Sequence, residues 1–251
     1  MTSSAPQHDQ SSPLTRFVEL ASMIVAAGLV LALGFRFAFL PGMLVWWTPI
    51  VFVLGACTAD FMSGMVHWFA DTWGSETMPV LGRRLLRPFR VHHVNPDDFL
   101  RRDFIDTNGD VAMVVLPFLL LGLTLPLDSS AGRVAALFFA VMGVAALPTN
   151  QVHQWAHMRH PPVWVKRLQD LGVILSRREH LRHHKKPYNI QYCISLGWCN
   201  GVLNATGFFW KLERVVTWLT GLQPREDDSE FAIAVEDSPV PGTSHSRKNR
   251  G

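Results

Sequence analysis

The chain has 251 residues, of which 48% are hydrophobic and 17% are charged, and its formal net charge at pH 7 is +3. This length is enough for one large domain, and three cysteines without a CxxC pair exclude a disulfide framework. The basic balance requires no nucleic acid as a partner, because it also suits a surface that faces anionic lipid headgroups.

The hydrophobic residues are concentrated in four runs with few or no charges. A bilayer core requires a helix of about 20 residues, with a range of about 17 to 25. We therefore predict four transmembrane helices, at about residues 17–40, 44–68, 111–128 and 134–157. The third run is marginal in length and contains Pro117 and Pro126.

Four buried helices in a soluble bundle are the alternative to transmembrane helices. A helix in a soluble protein normally has a polar face, whereas residues 23–33 and 116–123 are apolar on all sides. The pattern therefore favours an all-α integral membrane protein. The polar residues 1–15 and the polar tail 223–251 are predicted to be disordered, which leaves residues 16–222 as the membrane domain.

Basic residues are unevenly distributed between the two sides of the predicted spans. Six arginines lie between the second and third spans and eight basic residues lie within 158–186, whereas the two opposite connections contain only Arg133. By the positive-inside rule, both termini and the two basic segments face the cytoplasm. The expected membrane is the inner membrane of a bacterial cell or the endoplasmic reticulum of a eukaryotic one.

Two further segments are expected at the membrane surface. Residues 162–176 have an amphipathic pattern, which indicates an interfacial helix. Residues 190–210 are apolar but are interrupted by Gly197, Gly201 and Gly207. We interpret this stretch as re-entrant or surface-lying rather than as a fifth span.

Eight of the eleven histidines form four short clusters beside the predicted spans. They are His67, His92, His93, His153, His157, His180, His183 and His184. A single histidine near an interface is usually a polar tip at the headgroups, but four clusters would have to share their spacing and their cytoplasmic side by accident. Imidazole is the commonest protein ligand for transition metals, so the clusters predict a metal site. His8, His160 and His245 are expected to take no part in it.

The spacings within the clusters suit metal binding. Positions i and i+4 of a helix share a face, so His153 and His157 can approach one ion together. Adjacent residues point about 100° apart, given 3.6 residues per turn, so His92 and His93 can serve two different ions. Eight imidazoles exceed the needs of a single ion, which indicates two metals. Iron suits oxygen chemistry best, although imidazole also binds zinc, copper and nickel.

Polar residues near these histidines are candidates for supporting roles. His67 and Asp71 also stand at i and i+4, so Asp71 is either a metal ligand or a partner of one. Asp60, inside the second span, is placed to orient a ligand histidine through its other ring nitrogen. Asn150, one turn before His153, can act similarly or reach the metal through water. Alternatively, Asp60 and Asn150 only join helices through hydrogen bonds.

Five stretches of the sequence carry a resemblance to a known family. They are HWFADTWGS (67–75), RPFRVHHVNP (87–96), DFIDTNGD (103–110), NQVHQWAH (150–157) and EHLRHHKKPYNIQYCISLGW (179–198). Over about residues 45–215 the chain resembles the plasmanylethanolamine desaturases, also called the Kua or CarF-like family. The resemblance implies a histidine-bound di-iron centre that uses O2 and two electrons to introduce the vinyl-ether double bond into an alkyl ether phospholipid. It also implies that the eight clustered histidines are the iron ligands or their neighbours.

The implied reaction needs electrons, and the sequence contains no flavin, haem or nicotinamide fingerprint. We therefore expect a separate donor protein, similar to cytochrome b5 or to a ferredoxin. Arg83, Arg84, Arg87 and Arg90 are candidates for binding the lipid phosphate or an acidic donor, although they also serve as a topology signal. The alternatives are another desaturase or hydroxylase that acts near the headgroup of an acyl lipid, and a membrane protein that senses metal or oxidative stress.

Overall fold

The computed structural model describes residues 12–42, 45–79 and 81–225. Helices are the only regular secondary structure in this part of the chain, in agreement with the predicted all-α class. The α-helices, numbered in chain order, are α1 Pro13–Ala38, α2 Thr48–Thr72, α3 Arg87–Val94, α4 Pro96–Arg101, α5 Phe104–Thr124, α6 Ser130–Ala146, α7 Thr149–His157, α8 Val163–Asp170, α9 Arg177–His183, α10 Asn200–Thr206 and α11 Phe208–Thr220. A π-helical turn, Gly82–Leu86, leads directly into α3.

Four helical stretches are long and apolar enough to cross a membrane. They are α1, α2, α5 and the continuous stretch Ser130–His157, which combines α6 and α7, and they contain 26, 25, 21 and 28 residues. Large apolar side chains on α1 are exposed, with Leu31 75% and Phe35 71% accessible. A soluble bundle would bury such side chains, whereas lipid surrounds them favourably. The four predicted spans are thus present, and they fit a multi-pass membrane protein.

The spans differ from the predicted ones at their ends. α5 begins at Phe104 rather than near residue 111, because the Asp103 carboxylate accepts hydrogen bonds from two backbone N–H groups of the first turn and so caps the helix. α1 begins at Pro13, where the Ser12 hydroxyl caps the helix, so the last residues of the segment 1–15 are helical. Hydropathy does not detect such polar first turns.

The spans lie side by side in the order α1, α5, α6, α2. Buried side chains join α1, α5 and α6, among them Ala26, Leu119 and Ala140. Gly122 of α5 lies so close to α6 that a Cβ atom there would be 2.8 Å from the backbone nitrogen of Ala140. Since α2 and α5 both flank α6, a space forms between them on one side of the bundle.

We expect Gly122→Val to destabilise the bundle, because the added side chain would overlap the backbone of α6. Overpacking of this kind costs about 1–3 kcal/mol. The measurement is the thermal unfolding midpoint of the detergent-solubilised protein. Gly28→Val in α1 is the matched control, because a Cβ atom at Gly28 would have no heavy atom within 4 Å. Equal midpoints for the two variants would contradict the close contact between α5 and α6.

The segments after the spans agree with the interfacial prediction. Val163 and Trp164 of α8 are 71% and 54% exposed, as expected of a helix that lies along a membrane surface. Residues 190–199 form no helix and pack directly on α2, since a Cβ atom at Gly64 would lie 2.6 Å from Cys193 Sγ. The 13 residues of α11 are too few to cross a bilayer.

The beginning of the predicted tail is attached to the end of α2. The Arg225 backbone N–H donates a hydrogen bond to the carbonyl oxygen of Thr72, and its guanidinium donates one to that of Asp71, both at 3.0 Å. Residues 223–225 are therefore part of the folded domain. Residues 1–11 and 226–251, which include His8 and His245, lie outside the described residues.

Candidate metal centre

The larger of two donor groups consists of five imidazoles. They are His92 of α3, His153 and His157 of α7, His180 of α9, and His184 at the end of α9. His153 Nε2 lies 2.9 Å from His180 Nε2 and 3.1 Å from His92 Nε2. His184 Nε2 lies 3.0 Å and 3.1 Å from the same two atoms, and His157 Nε2 lies 2.6 Å from that of His180. One nitrogen of each ring therefore points to a common centre.

The smaller group combines three imidazoles with a carboxylate. It consists of His67 and Asp71 of α2, His93 of α3 and His183 of α9. Asp71 Oδ2 lies 3.2 Å from Nε2 of His67, 3.3 Å from that of His183 and 3.5 Å from that of His93. The Nε2 atoms of His93 and His183 are 3.0 Å apart. Asp71, whose role the sequence left open, thus lies among the possible ligands.

The donor atoms of both groups fit metal ions. Imidazole nitrogens bind metals at about 2.0–2.1 Å, so two of them at right angles around one ion lie about 3.0 Å apart. The Nε2 contacts within the five-histidine group measure 2.6–3.1 Å. In the smaller group, His67 Nε2 and both Asp71 carboxylate oxygens are buried without a hydrogen-bond partner among the described residues. Because buried polar atoms rarely lack a partner, this arrangement is compatible with a metal site.

Adjacent histidines are divided between the two groups. His92 belongs to the larger group and His93 to the smaller one, and the neighbouring pair at the end of α9 is divided in the same way. Neighbouring residues on a helix point about 100° apart, so one short helix can serve two centres. The centres are close, since the ring centroids of His67 and His153 are 5.7 Å apart. This geometry agrees with the prediction of two ions.

All nine donors lie at one end of the bundle. α2 and the stretch Ser130–His157 run towards this end and carry their donors in their last turns, and α5 begins there. α3 and α9 lie outside the spans and bring the remaining donors to the same place. The clusters therefore meet on one side of the spans, as the loop charges predict.

Backbone carbonyl groups of residues 190–199 hold two of the donor rings. His67 Nδ1 lies 3.0 Å from the carbonyl oxygen of Tyr192, and His183 Nδ1 lies 2.9 Å from that of Ile190. A hydrogen bond at Nδ1 fixes the orientation of the ring and leaves Nε2 for the metal. Sequence patterns do not reveal such contacts, because every residue has a carbonyl group.

Asp60 anchors this segment instead of a ligand ring. Its carboxylate accepts hydrogen bonds of 2.8, 2.8 and 2.9 Å from three backbone N–H groups within residues 196–199. The Asn150 amide donates a hydrogen bond of 2.9 Å to the carbonyl oxygen of Thr107 and so joins α7 to α5. Of the two roles considered for Asp60 and Asn150, the structure shows the joining of segments through hydrogen bonds.

Other supporting residues are not evident from the sequence. Gln191 Nε2 donates a 2.6 Å hydrogen bond to Glu179, which precedes the candidate ligand His180 in α9. Arg225 donates to the backbone carbonyl of Asp71 from a position 154 residues further along the chain. Isolated Gln, Glu and Arg residues are common on protein surfaces, so only their contacts identify these three. His160, by contrast, is exposed and belongs to neither donor group.

Burial favours the neutral form of four donor imidazoles that lie outside the spans. The pKa values of His92, His93, His180 and His184 lie below the ordinary value of 6.5, chiefly because these rings are removed from water. Neighbouring histidines lower the pKa values of His92, His180 and His184 further. Neutral imidazole is the form that binds metals, so these rings are ready to bind at neutral pH.

A cavity of about 310 Å³ reaches the larger donor group. His92 and His153 line it together with apolar side chains of the spans, such as Val115 and Met142. Val114, which also lines the cavity, is 63% exposed on α5, so the cavity opens sideways between the spans. Its volume lies at the lower end of the range for ligand pockets, about 300–1,000 Å³. An apolar chain in the bilayer can therefore approach the donor group.

Comparisons with known proteins agree with this site. The chain matches the lipid desaturase domain over residues 56–227. It is 43% identical over 217 residues to plasmanylethanolamine desaturase of Myxococcus xanthus, covering 86% of this chain and 77% of that protein. It is 39% identical over 235 residues to plasmanylethanolamine desaturase 1 of Mus musculus, covering 90% and 86%. It is also 37% identical over 191 residues to fatty acid desaturase 4, chloroplastic, of Arabidopsis thaliana, covering 74% and 57%.

No solved structure matches the chain. The matched domain, residues 56–227, contains every donor of both groups, the spans Phe104–Thr124 and Ser130–His157, and the larger part of α2. Two donor groups at one end of a bundle of candidate spans are compatible with a metal site that acts on a lipid. The chain belongs to the lipid desaturase family and is an oxidoreductase that acts on membrane lipid.

Proposed function

We propose that the protein is a plasmanylethanolamine desaturase, which introduces the vinyl-ether double bond into the alkyl ether chain of its substrate and so makes a plasmalogen. Two relatives with this name, at 43% and 39% identity, support the proposal. The observation that carries the proposal is that two histidines of the five-histidine group line an apolar cavity, and that this cavity opens between the spans. A chain attached to a headgroup at the bilayer surface reaches the metal centre by its headgroup-proximal end.

The stoichiometry of the reaction shows that it consumes O2, two electrons and two protons. The alkyl chain loses two hydrogen atoms, and O2 takes up these two atoms with two further electrons and two protons to give two molecules of water. Two irons fit the two donor sets, one in the five-histidine group and one in the group of His67, Asp71, His93 and His183. Bound iron supplies the oxygen activation that is needed to remove hydrogen from an unactivated alkyl carbon.

The residues of this chain position the substrate and limit side reactions. The apolar lining of the cavity binds the alkyl chain and excludes bulk water from the larger donor group. The rings of His92 and His153 line the same cavity, so a metal that they held would lie beside the bound chain. Hydrogen bonds at Nδ1 keep the rings of His67 and His183 in place.

Electrons reach the centre from a separate donor protein, similar to cytochrome b5 or to a ferredoxin. A second cavity, of about 570 Å³, is lined by His93, His157 and His184, and also by Arg159 and Arg177. These three histidines differ from His92 and His153, which line the apolar cavity of about 310 Å³. The second cavity therefore reaches the donor groups from a different direction. The two arginines favour an acidic donor, and the positive-inside rule places this face and both termini in the cytoplasm.

Expression in cells that make plasmanylethanolamine but no plasmalogen tests the proposal. We expect vinyl-ether phospholipids to appear and their saturated ether precursors to decrease, as measured by mass spectrometry of the lipids. New double bonds in acyl chains alone would contradict the proposal and favour an acyl-lipid desaturase, the function in the name of the Arabidopsis relative. Unchanged lipids in the presence of a matching electron donor would favour a sensing role.

We expect Ala146→Phe to lower vinyl-ether formation by at least about tenfold, because a phenyl ring would occupy part of the cavity and displace the alkyl chain. The measurement is the rate of vinyl-ether formation in isolated membranes. Val144→Phe is the matched control, because Val144 lies in the same helix and is 42% exposed. Equal rates for the two variants would show that the chain does not bind in this cavity.

A further inference from the structure

The short segment 188–192 runs along the smaller donor group and contacts its imidazoles. The carbonyl oxygen of Ile190 lies 2.9 Å from His183 Nδ1, and that of Tyr192 lies 3.0 Å from His67 Nδ1. Each contact fixes the orientation of one ring and leaves its Nε2 for a metal. Alternate residues of one segment therefore face the same donor group.

The third imidazole of this group, His93, is stacked against the ring of Tyr188. The two ring centroids are 4.9 Å apart, and the ring planes are inclined by only 14°. The other ring contacts of His93 among the described residues are inclined by 42° or more. Stacking favours parallel planes, so Tyr188 restrains the plane of His93. That plane determines where His93 Nε2 points, which is towards Asp71 Oδ2 at 3.5 Å and His183 Nε2 at 3.0 Å.

The backbone of this segment has a conformation that its residues rarely adopt. Tyr188 and Gln191 have φ angles of 60° and 63°, and no other non-glycine residue in the described part of the chain has a positive φ. Bulky side chains disfavour this region, so such conformations persist only where contacts hold them, often at functional sites. Here Asn204 and Glu179 accept hydrogen bonds from the backbone and the side chain of Gln191. The Tyr188 backbone N–H donates a hydrogen bond to the carbonyl oxygen of Lys185.

We propose that Tyr188 is a positioning residue for the smaller metal site, because its ring fixes the plane of His93 and so directs Nε2 of His93 towards the other donors. The inference rests on the metal centre of the proposed function and adds a residue outside the donor set on which that centre depends. The stack requires an aromatic ring at position 188 but not the phenolic hydroxyl. The adjacent His92 belongs to the larger group, so loss of the ring affects one of the two ions.

Iron release from the purified, iron-loaded protein in detergent tests this inference without O2 or lipid. A chelator that becomes coloured when it binds Fe2+ records the release of each ion. We expect Tyr188→Leu to release one iron about tenfold faster than the wild type, the lower end of the effect of residues that support a metal ligand, and the other iron at the wild-type rate. Mössbauer spectra should show a change at one iron only. Tyr188→Phe is expected to match the wild type in both measurements.

The controls separate positioning from folding. Leu is as restricted as Tyr at a positive φ, so Tyr188→Leu leaves the backbone strain unchanged. Phe39→Leu removes a ring that lies 4.9 Å from that of Phe35, in a pair without a donor, and is expected to leave both release rates unchanged. The thermal unfolding midpoint shows whether each variant is folded. If Tyr188→Leu lowers the midpoint, Tyr188→Met takes its place, because its flexible side chain fills the same space without a ring.

Three results would overturn the inference. The first is wild-type release of both irons from the Tyr188 variants without a ring. The second is equal acceleration of both irons, which would indicate general loosening of the fold. The third is an equal effect in Tyr188→Phe, which would assign the role to the hydroxyl.

Failure of this inference can be distinguished from failure of the proposed function. If no vinyl ether forms but Tyr188→Leu releases one iron faster, the positioning role stands and the reaction is wrong. If the wild-type protein forms vinyl ethers and Tyr188→Leu releases both irons at the wild-type rates, the reaction stands and the role of Tyr188 is wrong. A wild-type protein that binds a single iron would overturn this inference together with the two-iron centre.

Discussion

His153→Ala is expected to abolish vinyl-ether formation, with a loss of more than about 100-fold, since even residues that only support a metal ligand contribute about 10–100-fold. Nε2 of His153 contacts those of His92 and His180, and the ring lines the lipid cavity. Removal of the ring takes one donor from the five-histidine group and leaves the smaller group intact. The measurements are the rate of vinyl-ether formation and the number of iron atoms bound per chain.

The matched control is His160→Ala, because His160 is exposed and belongs to neither donor group. We expect this variant to keep the iron content of the wild type, and iron content is the property compared, because His160 lines the cavity proposed for the electron donor. His67→Ala should also abolish activity, but through the smaller group, whose only carboxylate is Asp71. Full activity of His153→Ala, or equal losses of iron in His153→Ala and His160→Ala, would contradict the assignment of the metal centre.

Asp60→Asn is expected to have the largest effect on stability. The fully buried carboxylate accepts three backbone hydrogen bonds from residues 196–199. An amide has one acceptor oxygen, and its NH2 group would face backbone N–H groups. Hydrogen bonds to a charged group contribute about 1.5–3 kcal/mol each, so a loss of about 3 kcal/mol or more is expected. The measurement is the thermal unfolding midpoint of the metal-loaded protein in detergent.

The same substitution should also weaken metal binding at the smaller group. Residues 190–199 are one continuous segment, and its carbonyl groups hold the rings of His67 and His183. Asp128→Asn, at an exposed connection between α5 and α6, is the control and should change neither property. If Asp60→Asn kept the wild-type midpoint and iron content, the carboxylate would not be the anchor of this segment.

Local patterns were sufficient to predict the four spans. Long apolar runs identify transmembrane helices because the bilayer imposes one length and one polarity on every span. The ends of the spans were less predictable. Asp103 caps α5, so this helix begins at Phe104. Its first turn is polar, and a hydropathy pattern therefore does not include it in the span. The i, i+4 spacing of His153 and His157, and the divergence of adjacent His92 and His93, follow from helix geometry alone.

The sequence by itself determined that the protein is a membrane helical bundle, that its histidines cluster on one side as candidate metal donors, and to which family it is similar. Only the tertiary structure decided the division of the donors into groups of five and four, with Asp71 in the smaller group. It also decided that Asp60 anchors residues 196–199 and that Arg225 contacts α2. The cavity that His92 and His153 line is likewise a property of the tertiary structure alone. The physical reason is range: helix periodicity and hydropathy are properties of neighbouring residues, whereas ligand sets, carbonyl contacts and cavities join segments that are distant in the chain.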